Sequence, residues 1–146
     1  VKILTLVSFL ITALVLGACG GGSSDPKVTT DEVVWRQGEP DVVVHHGPVP
    51  KKLIVRDLKQ GTGAVLKKGS IGAFKYKSFD YRTGQRYEDW WNEPFVTGFG
   101  KGESLDAWET GLKGMKVGGR RELIVPPAQA YTHVPVIYVI ELASVE

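Results

Sequence analysis

Only one segment of this 146-residue sequence carries a helical hydrophobic period, and that scarcity decides the class of fold. In Ser104-Leu105-Asp106-Ala107-Trp108-Glu109-Thr110-Gly111-Leu112, the apolar Leu105, Trp108 and Leu112 recur at i, i+3 and i+7, on one helix face. Ser104 suits the N-cap, Asp106 suits the positive end of the helix dipole, and Gly114 suits the stop. The other apolar runs of the C-terminal two thirds are short and bounded by Gly, Pro, Thr or Asp, the pattern of strands joined by turns.

Those runs order themselves along the chain. Residues 53–58 read as a strand, with Gly61-Thr62-Gly63 as the turn after it. In 73–79, Phe74 and Tyr76 share one face while Lys75 and Lys77 share the other, which predicts a half-exposed antiparallel strand. Thr83-Gly84 supplies a turn, Arg86-Tyr87-Glu88 leads away from it, and 94–97 form another short strand. Residues 122–125 are ended by Pro126-Pro127, since neither proline can donate to a ladder. A last strand over 136–145 sets Val136, Tyr138, Ile140 and Leu142 on one face. The sum is an α+β fold, a twisted antiparallel sheet wrapped on one short helix.

Composition removes several function classes. A net charge of +2 without a basic run is a poor match for nucleic acid. The single cysteine, Cys19, allows no internal disulfide, and no Cys/His cluster has zinc spacing, so neither a metal nor another cofactor is expected. The adjacent His45 and His46 cannot both face one ion from a strand, and His133 is far away in sequence. The glycines sit at turns rather than in a phosphate loop or a nucleophile elbow.

The first 18 residues read as a signal peptide: after Lys2, the apolar run 3–18 is shorter than the roughly 20 residues of a spanning helix. It ends in Leu16-Gly17-Ala18-Cys19, which resembles a bacterial lipobox. That resemblance implies lipid attachment at Cys19 and a location in the cell envelope, anchored to the membrane and facing away from the cytoplasm. An ordinary secretory signal would leave Cys19 incidental. Residues 19–50, rich in Gly, Pro, Ser, Asp and Thr, read as a flexible linker with one short strand at 41–44, and residues 51–146 as the folded domain.

From about residue 53 onward the chain resembles the FKBP-type peptidyl-prolyl cis/trans isomerases, through ordered blocks. The most specific runs from Gly111-Leu112-Lys113-Gly114-Met115 through Val125-Pro126-Pro127 to Tyr131. Thr83-Gly84-Gln85-Arg86-Tyr87-Glu88, Pro94-Phe95 and Leu105 to Trp108 agree in order and spacing. The resemblance implies a pocket with Trp108 as floor and Tyr76, Tyr87, Phe95 and Tyr138 as walls. The Leu105 backbone N–H would donate to a substrate carbonyl, and the Tyr131 hydroxyl would be offered beside it. Glu88 stands where the family usually has aspartate. Tyr76, Phe95 and Tyr138 would serve a plain aromatic core equally well. Expected partners are X-Pro-containing polypeptides and the family's macrolide inhibitors.

Such chemistry needs no nucleophile. Rotation about X-Pro crosses a barrier of ~18–20 kcal/mol because amide resonance is lost. An apolar, water-excluding pocket favours the less dipolar twisted state. Two departures bear on this. Only Thr132-His133-Val134-Pro135 separates Tyr131 from the last strand, where most of the family carry a longer covering loop. Trp90 and Trp91 replace small polar residues, and read either as substitute apolar surface for the pocket or as an exposed rim for unfolded chains. The alternative function is therefore a non-catalytic binding or holdase domain on a membrane-anchored lipoprotein, and a third is a lipoprotein for adhesion or assembly.

Overall fold

A computed structural model describes residues 33–43 and 45–146. The expected signal peptide, Cys19 and the start of the linker lie outside the described residues. Among those described, a six-stranded antiparallel sheet is built from β3 (Ile54–Lys59), β4 (Ile71–Asp80), β5 (Arg86–Asp89), β6 (Phe95–Gly98), β7 (Arg120–Val125) and β8 (Val136–Val145). Its order is β3-β7-β8-β4-β5, with β6 pairing to the other end of β4. One short helix, α1 (Asp106–Gly111), crosses one face. The α+β expectation holds.

Alternation along the long central strands separates two cores. On β8, Val136, Tyr138, Ile140 and Leu142 join Phe74, Tyr76, Trp108, Leu112, Leu123 and Val125 under the helix. Ile137 and Val139 point the other way, to Phe79, Tyr81 and Ile124. Helix and sheet approach closely at Gly111, where an added Cβ would lie 2.6 Å from a methyl of Leu123. The helix ends at Gly111 with Leu112 as its C-cap, and Gly114, at φ 74°, takes the left-handed conformation in the turn that follows.

The second core has a cover that the spacer expected over 19–50 does not contain. Strands β1 (Val33–Arg36) and β2 (Glu39–Val43) form an antiparallel hairpin, and Val33 and Val49 pack on the second core. Trp35 meets Trp91 edge-on at 6.3 Å, and the Arg120 guanidinium lies 4.8 Å from the Trp35 ring centroid. The strand expected at 41–44 is part of β2, but its pairing with β1 and its packing depend on such distant side chains, which is why the rest of the hairpin read as linker.

That cover also revises β4. Lys77, expected on a solvated face, is buried, with its Nζ 2.9 Å from Glu39 and 3.4 Å from Asp89. Farther along the same face, His45 is buried, stacked on Tyr81 at 5.3 Å and paired through Nε2 with Glu122 at 3.1 Å. Arg56 reaches the other oxygen of Glu122, also at 3.1 Å. Among the described residues no three His, Cys, Asp or Glu side chains converge as a metal site, and no helix is long and apolar enough to cross a membrane.

Candidate active site

The other face of the sheet opens between the start of α1, β5, β6 and the turn before β8, into a cavity of about 840 Å³. Its floor is Trp108, buried by the packing of α1. Four aromatic rings surround this indole: Tyr76 at 4.9 Å, Phe74 at 5.4 Å, Tyr138 at 5.7 Å and Phe95 at 6.3 Å between centroids. All meet it edge-on, the arrangement the aromatic quadrupole favours. Phe74 stays in the core beneath, while Tyr76, Tyr138 and Phe95 line the cavity. The indole Nε1 is buried with no hydrogen-bond acceptor among the described residues.

Strand geometry delivers the walls. Tyr76 and Ser78 share the pocket face of β4, and Tyr138 stands opposite Ser78 on β8. Phe95 enters from β6, opposite Phe74. Tyr87 and Glu88 come from β5, which pairs with the far half of β4. The Tyr87 hydroxyl donates to Asp80 at 2.6 Å, tethering this half-exposed ring to the turn after β4. Asp80 also accepts from the backbone N–H groups of Arg82 and Thr83. The Tyr87 hydrogen bond is the main cause that holds the Asp80 carboxyl down at about 2, and the same bond raises Tyr87.

Glu88 is fixed from two sides. The Tyr76 hydroxyl donates to Oε1 at 3.2 Å and the Ser78 hydroxyl to Oε2 at 2.9 Å. The longer carboxylate therefore has a defined seat. Burial, then the Glu88 charge, push the Tyr138 phenol up to about 12, and the same two causes push Tyr76 well above the ordinary range. Both phenols stay protonated at neutral pH and serve only as neutral hydroxyls on an apolar wall.

The helix entrance departs from its expected cap. Leu105, not Ser104, occupies the N-cap with extended backbone (φ −62°, ψ 141°), and no side chain caps the helix. The Ser104 hydroxyl donates instead to Glu109 at 2.6 Å, whose other oxygen accepts the Gly100 N–H at 2.6 Å. Glu109 thus clamps the loop before α1, and Leu105 lines the cavity at the helix start. Tyr131 stands at the mouth with 86% of its surface exposed. The brief connection beyond it turns at His133, which has φ 57°.

All eight residues expected at the site, Tyr76, Tyr87, Glu88, Phe95, Leu105, Trp108, Tyr131 and Tyr138, line this one cavity. The tryptophan pair divides. Trp90 lines the mouth, 5.9 Å from Phe95, whereas Trp91 is buried on the opposite face against Trp35, so only Trp90 can add apolar surface to the pocket. The sequence reading missed Ser78 and Glu103, which also line the cavity. Ser78 was signalled by its spacing after Phe74 and Tyr76. Glu103 lies in a loop and had no such signal.

Residues 63–141 match the family of FKBP-type peptidyl-prolyl cis-trans isomerases. The chain belongs to that family. The FKBP-type domain is 33% identical over 93 residues to the "Probable FK506-binding protein" of Corynebacterium glutamicum, covering 64% of this chain and 79% of that one. It is 36% identical over 95 residues to the "FK506-binding protein" of Streptomyces anulatus, covering 64% and 77%. In fold it is similar to the crystal structure of FkpA from Escherichia coli, with a TM-score of 0.58 and 23% identity. That match covers 64% of this chain and 48% of the other. Peptidyl-prolyl cis-trans isomerisation is the chemistry of the family.

Proposed function

We propose that this FKBP-type domain accelerates rotation about X-Pro bonds in polypeptides that fold outside the cytoplasm. The observation that carries the reading is the cavity of about 840 Å³ floored by Trp108 and walled by Tyr76, Tyr87, Phe95 and Tyr138. A prolyl ring seated on the indole leaves its imide among aromatic edges rather than water. The planar imide is more dipolar than the twisted one, so desolvation raises the ground state more than the transition state. The backbone N–H of Leu105 and the hydroxyl of Tyr131 are proposed to hold the substrate carbonyls. Their role is orientation, and no bond is made or broken.

The names of the relatives support macrolides of the FK506 type as occupants of the same pocket. The sequence at Cys19 supports a lipid anchor at the membrane of the cell envelope. A second reading, in which the domain grips unfolded chains without catalysis, draws on the exposed Trp90, Val96, Tyr131 and Val134.

The test is exchange between cis and trans X-Pro peptides, followed by NMR, with the full chain in detergent micelles. Acceleration that FK506 abolishes is the expected result. Peptide binding with no acceleration would transfer the function to the gripping reading.

A further inference from the structure

At the end of β5 the chain alternates across the sheet edge. Asp89 faces Lys77 and Trp91 faces Trp35, on the hairpin side. Glu88 and Trp90 come out on the opposite side, where both line the cavity. The Trp90 N–H still bonds the Tyr76 carbonyl at 2.8 Å, so this alternation is held by the ladder. A carboxylate and an indole therefore stand two residues apart on one wall. Trp90 is edge-on to Phe95 and 39% exposed, so part of its ring remains available at the mouth.

The charges lining the cavity have one sign. Glu88 and Glu103 are its ionisable acids, and no Lys, Arg or His is among its lining residues. Glu88 is held by two neutral hydroxyls, and its charge contributes to raising Tyr138, so its field reaches across the pocket. Lys101 runs beside Gly98 near Glu103, yet no cation forms an ion pair with either carboxylate among the described residues.

We infer that Trp90 and Glu88 form a subsite for a basic side chain next to the substrate proline, which makes the domain selective for Lys-Pro, Arg-Pro and Pro-Lys or Pro-Arg segments. The aliphatic stem of lysine or arginine lies along the Trp90 ring, and its cationic head meets the indole face and the Glu88 carboxylate. An acidic side chain in the same place meets the like charge of Glu88. The inference rests on the isomerase reading for where proline sits, and its test separates the two.

Dissociation constants are measured for capped Ala-Lys-Pro-Phe, Ala-Leu-Pro-Phe and Ala-Glu-Pro-Phe, and for Ala-Ala-Pro-Lys and Ala-Ala-Pro-Glu, with the full chain in uncharged detergent. Cis/trans exchange is measured on the same samples. In at least one series the lysine peptide binds about fivefold or more tighter than the glutamate peptide at low salt, and the ratio shrinks as salt screens the charges. Glu88→Gln, whose amide oxygen can still accept from a hydroxyl, narrows the ratio, and Trp90→Ser narrows it separately. Equal affinities in both series, or a ratio that survives Glu88→Gln, overturns the inference whether or not exchange is accelerated. Absent exchange with the leucine peptide removes the isomerase reading, while the affinity ratio still decides the subsite.

Discussion

Glu39 on the hairpin and Lys77 on the central strand meet at 2.9 Å, although 38 residues separate them in sequence. The lysine side chain is only 5% exposed, so its charge depends on Glu39 and, at 3.4 Å, Asp89. Removing one partner of a buried charge costs far more than replacing the charge itself. Glu39→Gln is therefore expected to destabilise the fold by about 1–2 kcal/mol, moderated by Asp89 and by the partial exposure of Glu39. Lys77→Met, which keeps the volume and drops the charge, is expected to be close to neutral. Urea unfolding of the two variants checks the order, and a larger loss for Lys77→Met would contradict it.

The same face predicts where the fold begins. A chain starting at residue 51 lacks the hairpin and His45, which exposes the second core and leaves Glu122 with Arg56 alone. It should unfold at lower urea than a chain starting at residue 33, by the equivalent of about 3 kcal/mol or more. Coincident unfolding curves would show that residues 33–50 contribute nothing.

These two cases mark the limit of what a sequence reader can see. The pocket was legible because its residues lie in ordered blocks and because alternation in β4 and β8 assigns Tyr76 and Tyr138 to one face. The hairpin was legible only as the short strand over 41–44, since its side-chain contacts are with residues 38 to 85 positions away, from Glu39–Lys77 to Trp35–Arg120. Lys77 alternates with Tyr76 as a solvated residue would, and the carboxylates of Glu39 and Asp89 make its burial tolerable. Ser104 satisfied the local rule for a cap, but Glu109 offered its hydroxyl a closer partner. Trp90 and Trp91 are adjacent, so a strand had to send them to opposite sides, and β5 ends just before them.

The turn after β4 sets a pH dependence. The carboxyl of Asp80 is held at about 2, chiefly by Tyr87, below its ordinary 3.8. A depressed folded value means that the stabilisation is complete above the ordinary value and is lost as pH falls from there through about 2. Since the group is largely solvated, the effect on global stability is small. Tyr87→Phe should move the Asp80 midpoint upward but not fully to 3.8, because the Arg82 and Thr83 N–H groups remain. Carboxyl-carbon NMR titration reads this directly, and an unmoved midpoint would remove Tyr87 as the cause.

Trp108 separates packing from catalysis. Its Nε1 has no acceptor to lose, so Trp108→Phe forfeits only the volume of the larger ring beneath Tyr76 and Tyr138. The cost in stability should be about 1–3 kcal/mol, against about 3–5 kcal/mol for Trp108→Ala. A smaller floor lets the prolyl ring sink or water enter, and either reduces the desolvation on which the proposed rate enhancement depends. X-Pro exchange catalysed by Trp108→Phe is expected to fall about tenfold or more, while the variant stays folded by near-UV circular dichroism. A folded Trp108→Phe variant with undiminished exchange would mean that the floor of the pocket is not where the imide rotates.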